Sequence, residues 1–453
     1  LLVANLLVTP YLLAQVGTEA YGIFGVVTIF TTQLGLLNLG IGPATTRVVA
    51  GLRGDGNHRR YHAAVVATVL IAALASVAVA AVFGIAGPAL WRHGIHASAA
   101  TLALALASVA PALAIAAIQP IYGAVGGVLA GNEQFGLLST IKVIHGLGRM
   151  GSAVVAAALG HNVDVILGVQ ATIDVIALYA TSRFTPYWMV DRPTMSEILG
   201  EARTLLTVGF PFGVAGALQA ALTDAEKIAV GLSQSLVDFT HYTVPYNAVA
   251  NVTLLPTALL ATLWPVLTAR AAAGDTTESL ALARKGGRAL MLVMSAVILP
   301  AIALAPEILK VWLGNEFAAH SARPTRILLL AFLVYTNVYV PHAVIRARSR
   351  PLTLAAWYGL QVPFFFAVVY FLVRAFGITG AALAWVVRAC VDAGGHQLLA
   401  ARDLRGRLGN HETWVPAACA LGCLLLFEGI PTLAWAARLG LVVGVLLGLW
   451  FGL

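Results

Sequence analysis

The chain is built of apolar blocks too long for a soluble core. Ala63 to Leu90 and Pro351 to Leu372 each exceed the roughly 20 apolar residues that span a bilayer, and polar residues gather in short islands between such blocks. Soluble folds interrupt apolar runs with polar positions at period 2 or 3.6, so here the bilayer acts as the solvent. Hydrocarbon offers the backbone no water to bond, which restricts the spans to helices or a closed barrel; blocks this long, without the short alternation of a barrel, predict helices. The expected fold class is an all-α polytopic membrane protein. Leu1 already stands in an apolar run with no initiator Met, so the first span is expected to be incomplete. Cys390, Cys419 and Cys423 lie inside apolar blocks with no CxxC and no His-rich tract beside them, which argues against a disulfide framework or a zinc site.

Taking the polar islands as loops gives about fourteen spans: 1–16, 21–50, 63–91, 98–130, 135–159, 163–182, 204–232, 237–269, 287–313, 327–345, 352–374, 378–400, 414–429 and 431–453. Charge tests the count. With a cytoplasmic N-terminus, the inner loops hold Arg53, Arg59, Arg60, Arg183, Arg192, Arg203, Arg270, Arg284, Lys285, Arg288, Arg346, Arg348, Arg350, Arg402, Arg405 and Arg407. The outer loops hold only Arg92, Arg323, Arg326 and Arg374. The bias recurs loop after loop, as the positive-inside rule requires. The net charge of +8 is therefore a topology signal and a contact with anionic lipid, not a nucleic-acid footprint.

Stretches Val128 to Leu138 and Val344 to Leu354 echo one another, and Arg47 and Arg270 close the second and eighth spans. This relates spans 1–6 to spans 7–12 as a parallel repeat about an axis along the membrane normal. The expected lobes are 1–199 (helices 1–6) and 200–401 (helices 7–12) with a cleft between them, and 412–453 (helices 13–14) stands outside the repeat.

Arg47, Lys142, Arg149, Lys227, Lys310, Arg388 and Arg438 remain inside spans or at their margins. A charge at the bilayer centre costs at least about 2.5 kcal/mol, so each needs an explanation. Lys142, His145 and Arg149 share one helix face, and Arg149 lies roughly 20 Å from the inner end of its span, too deep for easy snorkelling. It faces a wet cavity or bonds carbonyls at a break near Gly146, Gly148 and Gly151. Arg388, Asp392 and His396 form a second stripe, open to an internal ion pair or a substrate role. Asp174 is a candidate proton or sodium site or a structural carboxylate. Asp224 and Lys227 share a face while Glu226 points about 100° away; Lys227 either snorkels to the outer headgroups or faces the cleft with Asp224 setting its charge. Thr243, Asn247 and Asn251, with His241, Tyr242 and Tyr246 nearby, read as a sugar-binding wall or a helix packed through polar contacts. Prolines within many spans suit a transporter that rocks. No P-loop is present, so transport driven by ATP hydrolysis in this chain alone is not expected.

Tyr11 to Phe24, Leu36 to Arg47, Gly126 to Gly136, Tyr242 to Tyr246, Glu307 to Gly314 and Phe376 to Trp385 occur in an order that resembles the polysaccharide and O-antigen flippases (Wzx type) of the multidrug/oligosaccharidyl-lipid/polysaccharide (MOP) exporter superfamily. The resemblance covers about spans 1–12. It implies two six-helix lobes in a V, alternating access, a cationic cleft, and movement of undecaprenyl-pyrophosphate-linked oligosaccharide to the outer leaflet of the bacterial cytoplasmic membrane. By position, Arg47 and Arg270 match the basic ends of the second and eighth helices of such proteins. Lys142, Arg149, Lys227 and Arg388 complete the expected pyrophosphate site. Tyr242, Tyr246, Asn247 and Asn251 are expected glycan contacts, and Asp174, Asp224, Glu226 and Asp392 the ion-coupling candidates. No cofactor beyond a coupling H+ or Na+ is expected; the partners are lipid-linked oligosaccharide, membrane lipids and the glycan polymerase or ligase machinery. A peptidoglycan-precursor flippase fits the charge equally well, a drug-cation antiporter less well. A membrane glycan polymerase or ligase would need a catalytic outer loop, and the longest, at 314–326, is too short for a domain.

Overall fold

The computed structural model describes residues 2–34, 40–54, 57–94, 98–185, 193–347, 351–404, 406, 411–430 and 432–452. Among them the ordered elements are helices: α1 (Leu2–Val16), α2 (Thr18–Leu34), α3 (Ile41–Gly54), α4 (His58–Ala89), α5 (Ala99–Ala107), α6 (Val109–Gly131), α7 (Phe135–Ala158), α8 (Val163–Arg183), α9 (Met195–Ser233), α10 (Leu236–Ala250), α11 (Leu254–Ala272), α12 (Thr276–Leu313), α13 (Asn315–Ala347), α14 (Pro351–Leu404), α15 (His411–Gly429) and α16 (Trp435–Gly452). Eight helical runs are long and apolar enough to cross a membrane, and four shorter apolar runs flank them at the two ends of the chain. The protein is an all-α polytopic membrane protein.

Many expected spans map directly onto these helices, and others are divided: 98–130 is two helices, α5 and α6, meeting at Ser108, and 237–269 is two, α10 and α11, joined by a 3-10 turn at Asn251–Thr253. The span 21–50 is two helices, α2 and α3; α3 starts after Gly40, whose φ of 69° is left-handed and whose missing side chain leaves room for the Gly209 carbonyl. The spans 352–374 and 378–400 are two helical segments of α14 separated, as expected, by a non-helical residue, Gly377 (φ 56°, ψ −136°). Of the expected outer loop 314–326, residues 315–326 are helical, the first third of α13. Residues 36–39 of the resemblance, and Arg192, Arg348, Arg350, Arg405 and Arg407 of the inner-loop set, lie outside the described residues.

The chain forms two compact units, Leu1–Thr240 with Pro351–Val362, and His241–Arg350 with Pro363–Leu453. In the first, α6 carries glycines at 123, 127 and 131, one helical face of small residues that lets backbones meet. A Cβ at Gly127 would stand 2.6 Å from the Gly42 carbonyl, and one at Gly131 2.8 Å from Val49, so α3 lies directly on this face. Thr46 Oγ1 donates across the gap to the Gly127 carbonyl at 3.2 Å. Val49, Leu52, Tyr61, Ala64, Val65 and Val128 fill the space between α3, α4 and α6.

In the second unit α13 is the centre: 83% of its most apolar window is buried, and it packs along α12 and against α11 and α15. Prolines shape how this unit is bonded. Pro245 has no N–H for the His241 carbonyl one turn earlier, and Ser321 Oγ on α13 supplies the donor at 2.8 Å. Pro306 likewise orphans the Ile302 carbonyl, and Arg326 Nε donates to it at 3.1 Å. The same guanidinium binds Glu428 on α15 through Nη1 at 3.2 Å. Arg326 is therefore not an outer-loop charge but a buried bracket joining a proline break in α12 to the C-terminal hairpin.

Arg326→Met should lower stability by about 2–3 kcal/mol, because it strands both a carbonyl and a carboxylate. In a Pro306→Ala background, where the restored N–H serves Ile302, the loss should shrink; thermal unfolding of the four purified variants checks this.

Candidate functional site

The polar stripe of α7 meets α8. Arg149, about 21 Å along α7, donates from Nη1 to both Asp174 oxygens, at 2.7 and 2.6 Å, and from Nη2 to Gln170 Oε1 at 3.0 Å. Gln170 Nε2 lies 3.4 Å from the Arg149 carbonyl, which closes the contact from the other side. His145, one turn before Arg149, places Nε2 2.7 Å from Asp174 Oδ1, and the Tyr122 ring of α6 stands 5.4 Å from its imidazole. The cluster is layered. The Asp174 side chain is 2% exposed, His145 15% and Arg149 24%, so the carboxylate sits at the back and the guanidinium at the front. Arg149 bonds a carboxylate and an amide, not the carbonyls of a helix break.

A second group ties α2 to α9. Lys227 forms an ion pair with Asp224, and Gln33 of α2 donates to Asp224 Oδ2 at 2.5 Å and to the Ala220 carbonyl at 3.2 Å. Lys227 is buried, turned onto Asp224 rather than snorkelling outward, and Glu226 is fully buried. The three charges of this stretch are thus packed into a helix interface.

The third group fills the second unit between α13 and α14. Arg388 stands over the Trp385, Phe365 and Tyr335 rings at 4.7, 5.6 and 6.0 Å and lies 3.5 Å from Asp392. His396 Nδ1 lies 2.8 Å from the Asp392 carbonyl, with His342 at 3.4 Å from the other ring nitrogen. Arg388, Asp392 and His396 are each at most 2% exposed. Tyr246 joins the same aromatic core beside Phe332 and Trp385, with Tyr242 against it; both tyrosines are buried. Asn247 is exposed, whereas Asn251 falls past the end of α10 in a 3-10 turn and bonds the Asn247 carbonyl, so the polar stripe is cut short.

The remaining expected cations are spread out. Arg47 and Lys142 are exposed, as is Lys310. Arg270 pairs with Glu278, and Arg438 reaches Glu307 at 3.3 Å. The structure brings Arg149 to Asp174, Lys227 to Asp224 and Arg388 to Asp392, and does not gather the cations of either unit into one cluster. Gln170, Gln33, His342 and the aromatic cage of Arg388 escaped the sequence reading, since neutral partners on other helices, or rings within an apolar stretch of the same helix, leave no spacing signal. Among the described residues no group of three or more His, Cys, Asp or Glu side chains could hold a metal ion.

No protein-family model matches the chain. A curated protein of Shigella flexneri, named "Putative O-antigen transporter", is 24% identical over 152 residues, which cover 34% of this chain; the match spans about a third of that relative, 36%. Among solved structures, an inward-facing multidrug resistance MATE family transporter of the MOP superfamily aligns with TM-score 0.73 at 15% identity, over 89% of this chain and 95% of that one. The lipid II flippase MurJ in an inward closed conformation aligns with TM-score 0.72 at 11% identity, over 98% and 96%. A MOP superfamily transporter from Pyrococcus furiosus aligns with TM-score 0.63 at 13% identity, over 89% and 92%.

Because Arg388 is enclosed, Asp392→Ala should destabilise the protein by about 3–5 kcal/mol by stranding its charge. The double replacement Arg388→Met with Asp392→Asn should cost less than that single change, and melting temperatures in detergent decide between the two orders.

Proposed function

We propose that this chain, which has the fold of the MOP exporters, is a flippase that moves an oligosaccharide on a polyprenyl-pyrophosphate lipid from the inner to the outer leaflet of the bacterial cytoplasmic membrane. The observation that carries the reading is the layered cluster on α7 and α8, an arginine side chain 24% exposed deep along a membrane helix with its buried counter-ion bonded to it. Arginine offers a planar fork of donors that matches phosphate oxygens in pairs, and a pyrophosphate needs such a contact to leave water. Lys142, exposed on the same face two turns nearer the helix start, adds positive charge along that path. The match to the Shigella flexneri protein supports a glycan cargo.

In this reading the protein is a transporter rather than an enzyme, its N-terminus is cytoplasmic, and the cycle is alternating access coupled to an ion gradient. Arg47, an exposed basic residue in the same unit as Arg149, guides the headgroup. The buried Lys227 and Arg388 hold their helices together instead of touching cargo. The exported lipid is passed to a polymerase or ligase. A second reading, transport of a peptidoglycan precursor, draws on the lipid II flippase, which covers more of the chain than the MATE transporter does, 98% against 89%.

Proteoliposomes loaded with a labelled polyprenyl-pyrophosphate oligosaccharide test the proposal. The wild-type chain should expose the label to the opposite leaflet, and Arg149→Ala should cut the rate at least about tenfold, the loss of one charge-assisted bond. Equal rates in the two proteins, both correctly folded, would remove Arg149 from the path. Lengthening of glycan chains without leaflet exchange would make the protein an enzyme.

A further inference from the structure

Resting on Arg149 as the headgroup contact, we propose that His145 is the coupling residue of this site. An anion that draws Arg149 away from Asp174 is bound together with one proton, and the proton settles on His145.

The layering sets the order of events. An anion approaching the cluster meets Arg149 before it can reach Asp174, because the Arg149 side chain is 24% exposed and that of Asp174 2%. Nη1 is fully engaged with Asp174 and Nη2 with Gln170, so a pyrophosphate competes with Asp174 for the same donors. Asp174 serves in the unloaded site as an internal stand-in for the cargo's charge.

Release of Arg149 would strand that carboxylate in a place water barely reaches, and an uncompensated buried charge is among the most costly changes a fold can suffer. A replacement is already in position. His145 Nε2 is 2.7 Å from Asp174 Oδ1, and a ring that gains a proton from water becomes a full counter-charge without moving. No bond of the cargo forms or breaks.

The surroundings leave His145 in that role. On α7 its charged neighbours are Arg149 and, one turn back, the exposed Lys142. From α8 it faces Asp174, with Gln170 behind, and from α6 the Tyr122 ring. The helix α1 also packs against α7; its residues carry no charge and its titratable group is Tyr11.

The sign follows from linkage: if loading takes up a proton, affinity for the anion rises as pH falls, by at most about tenfold per pH unit. Proton and headgroup are then bound together and do not displace one another. Through this trio an inward-directed proton concentration gradient opposes export, so the ion gradient that drives the cycle acts through its membrane potential, which, negative inside, pushes the anion outward.

The test measures binding of a short-chain polyprenyl-diphosphate-linked N-acetylglucosamine, whose phosphates are both diesters and do not titrate near neutrality, to the full chain in nanodiscs. Affinity is followed between about pH 5 and 8, and proton uptake is counted by calorimetry in two buffers of different ionisation enthalpy. The wild-type chain should take up as much as one proton per anion, with affinity rising up to about tenfold per unit as pH falls. His145→Gln should lose the uptake and the slope; Asp174→Asn, which frees Arg149 with no charge to compensate, should bind more tightly and without slope. Uptake in His145→Gln equal to wild type, or pH-independent binding by the wild type, would overturn the coupling role while leaving Arg149 as headgroup contact. A folded wild type that binds at no pH would overturn both.

Discussion

A charge that must live among hydrocarbon needs a partner, and that requirement organises this protein more than any other. Arg149, Lys227, Arg388 and Arg438 all lie within helices, and each finds a carboxylate: Asp174, Asp224, Asp392 and Glu307. Isolated, each cation would cost at least about 2.5 kcal/mol at the bilayer centre. Paired, they differ in what they can do. Arg388 has three aromatic rings as well as Asp392 and is shut in, so its pair fixes the packing of α13 and α14. Lys227 and Asp224, with Gln33, fix α2 to α9. Only the α7–α8 cluster, among these groups, combines a buried carboxylate with a partly exposed arginine and a titratable ring within hydrogen-bond reach.

The backbone obeys the same rule as the side chains. A helix proline leaves a carbonyl without its donor, and lipid cannot supply one. Ser321 answers for Pro245 and Arg326 for Pro306, so the breaks in α10 and α12 are stitched to α13. Through Glu428 the second stitch extends to α15, which makes the C-terminal hairpin an integral part of the second unit.

Much of this was legible in the chain itself. Span length and charge bias fix the helices because hydrocarbon thickness and the cost of moving arginine across it act on every segment separately. The α7 stripe was readable because Lys142, His145 and Arg149 repeat at helical spacing, and Asp174 stood out as a lone mid-span carboxylate. That the two meet was not readable, since their contact depends on how α7 packs on α8. The helix break at Gly40 was hidden for a related reason: glycine is common in membrane helices, and only tertiary crowding shows which one interrupts the helix. Arg326 was placed in a loop because hydropathy drops there, although a buried arginine bonded to a carbonyl and a carboxylate lowers hydropathy in the same way.

The account stands on Arg149 being where cargo phosphate first binds. A polyprenyl-diphosphate sugar carrying a photoreactive diazirine next to its pyrophosphate would locate that contact, by mass spectrometry of the labelled protein. Label on α7 and α8 around His145, Arg149 and Gln170, competed by unlabelled lipid, is the result predicted here. Label confined to α13 and α14 around Arg388, with α7 and α8 untouched, would contradict it.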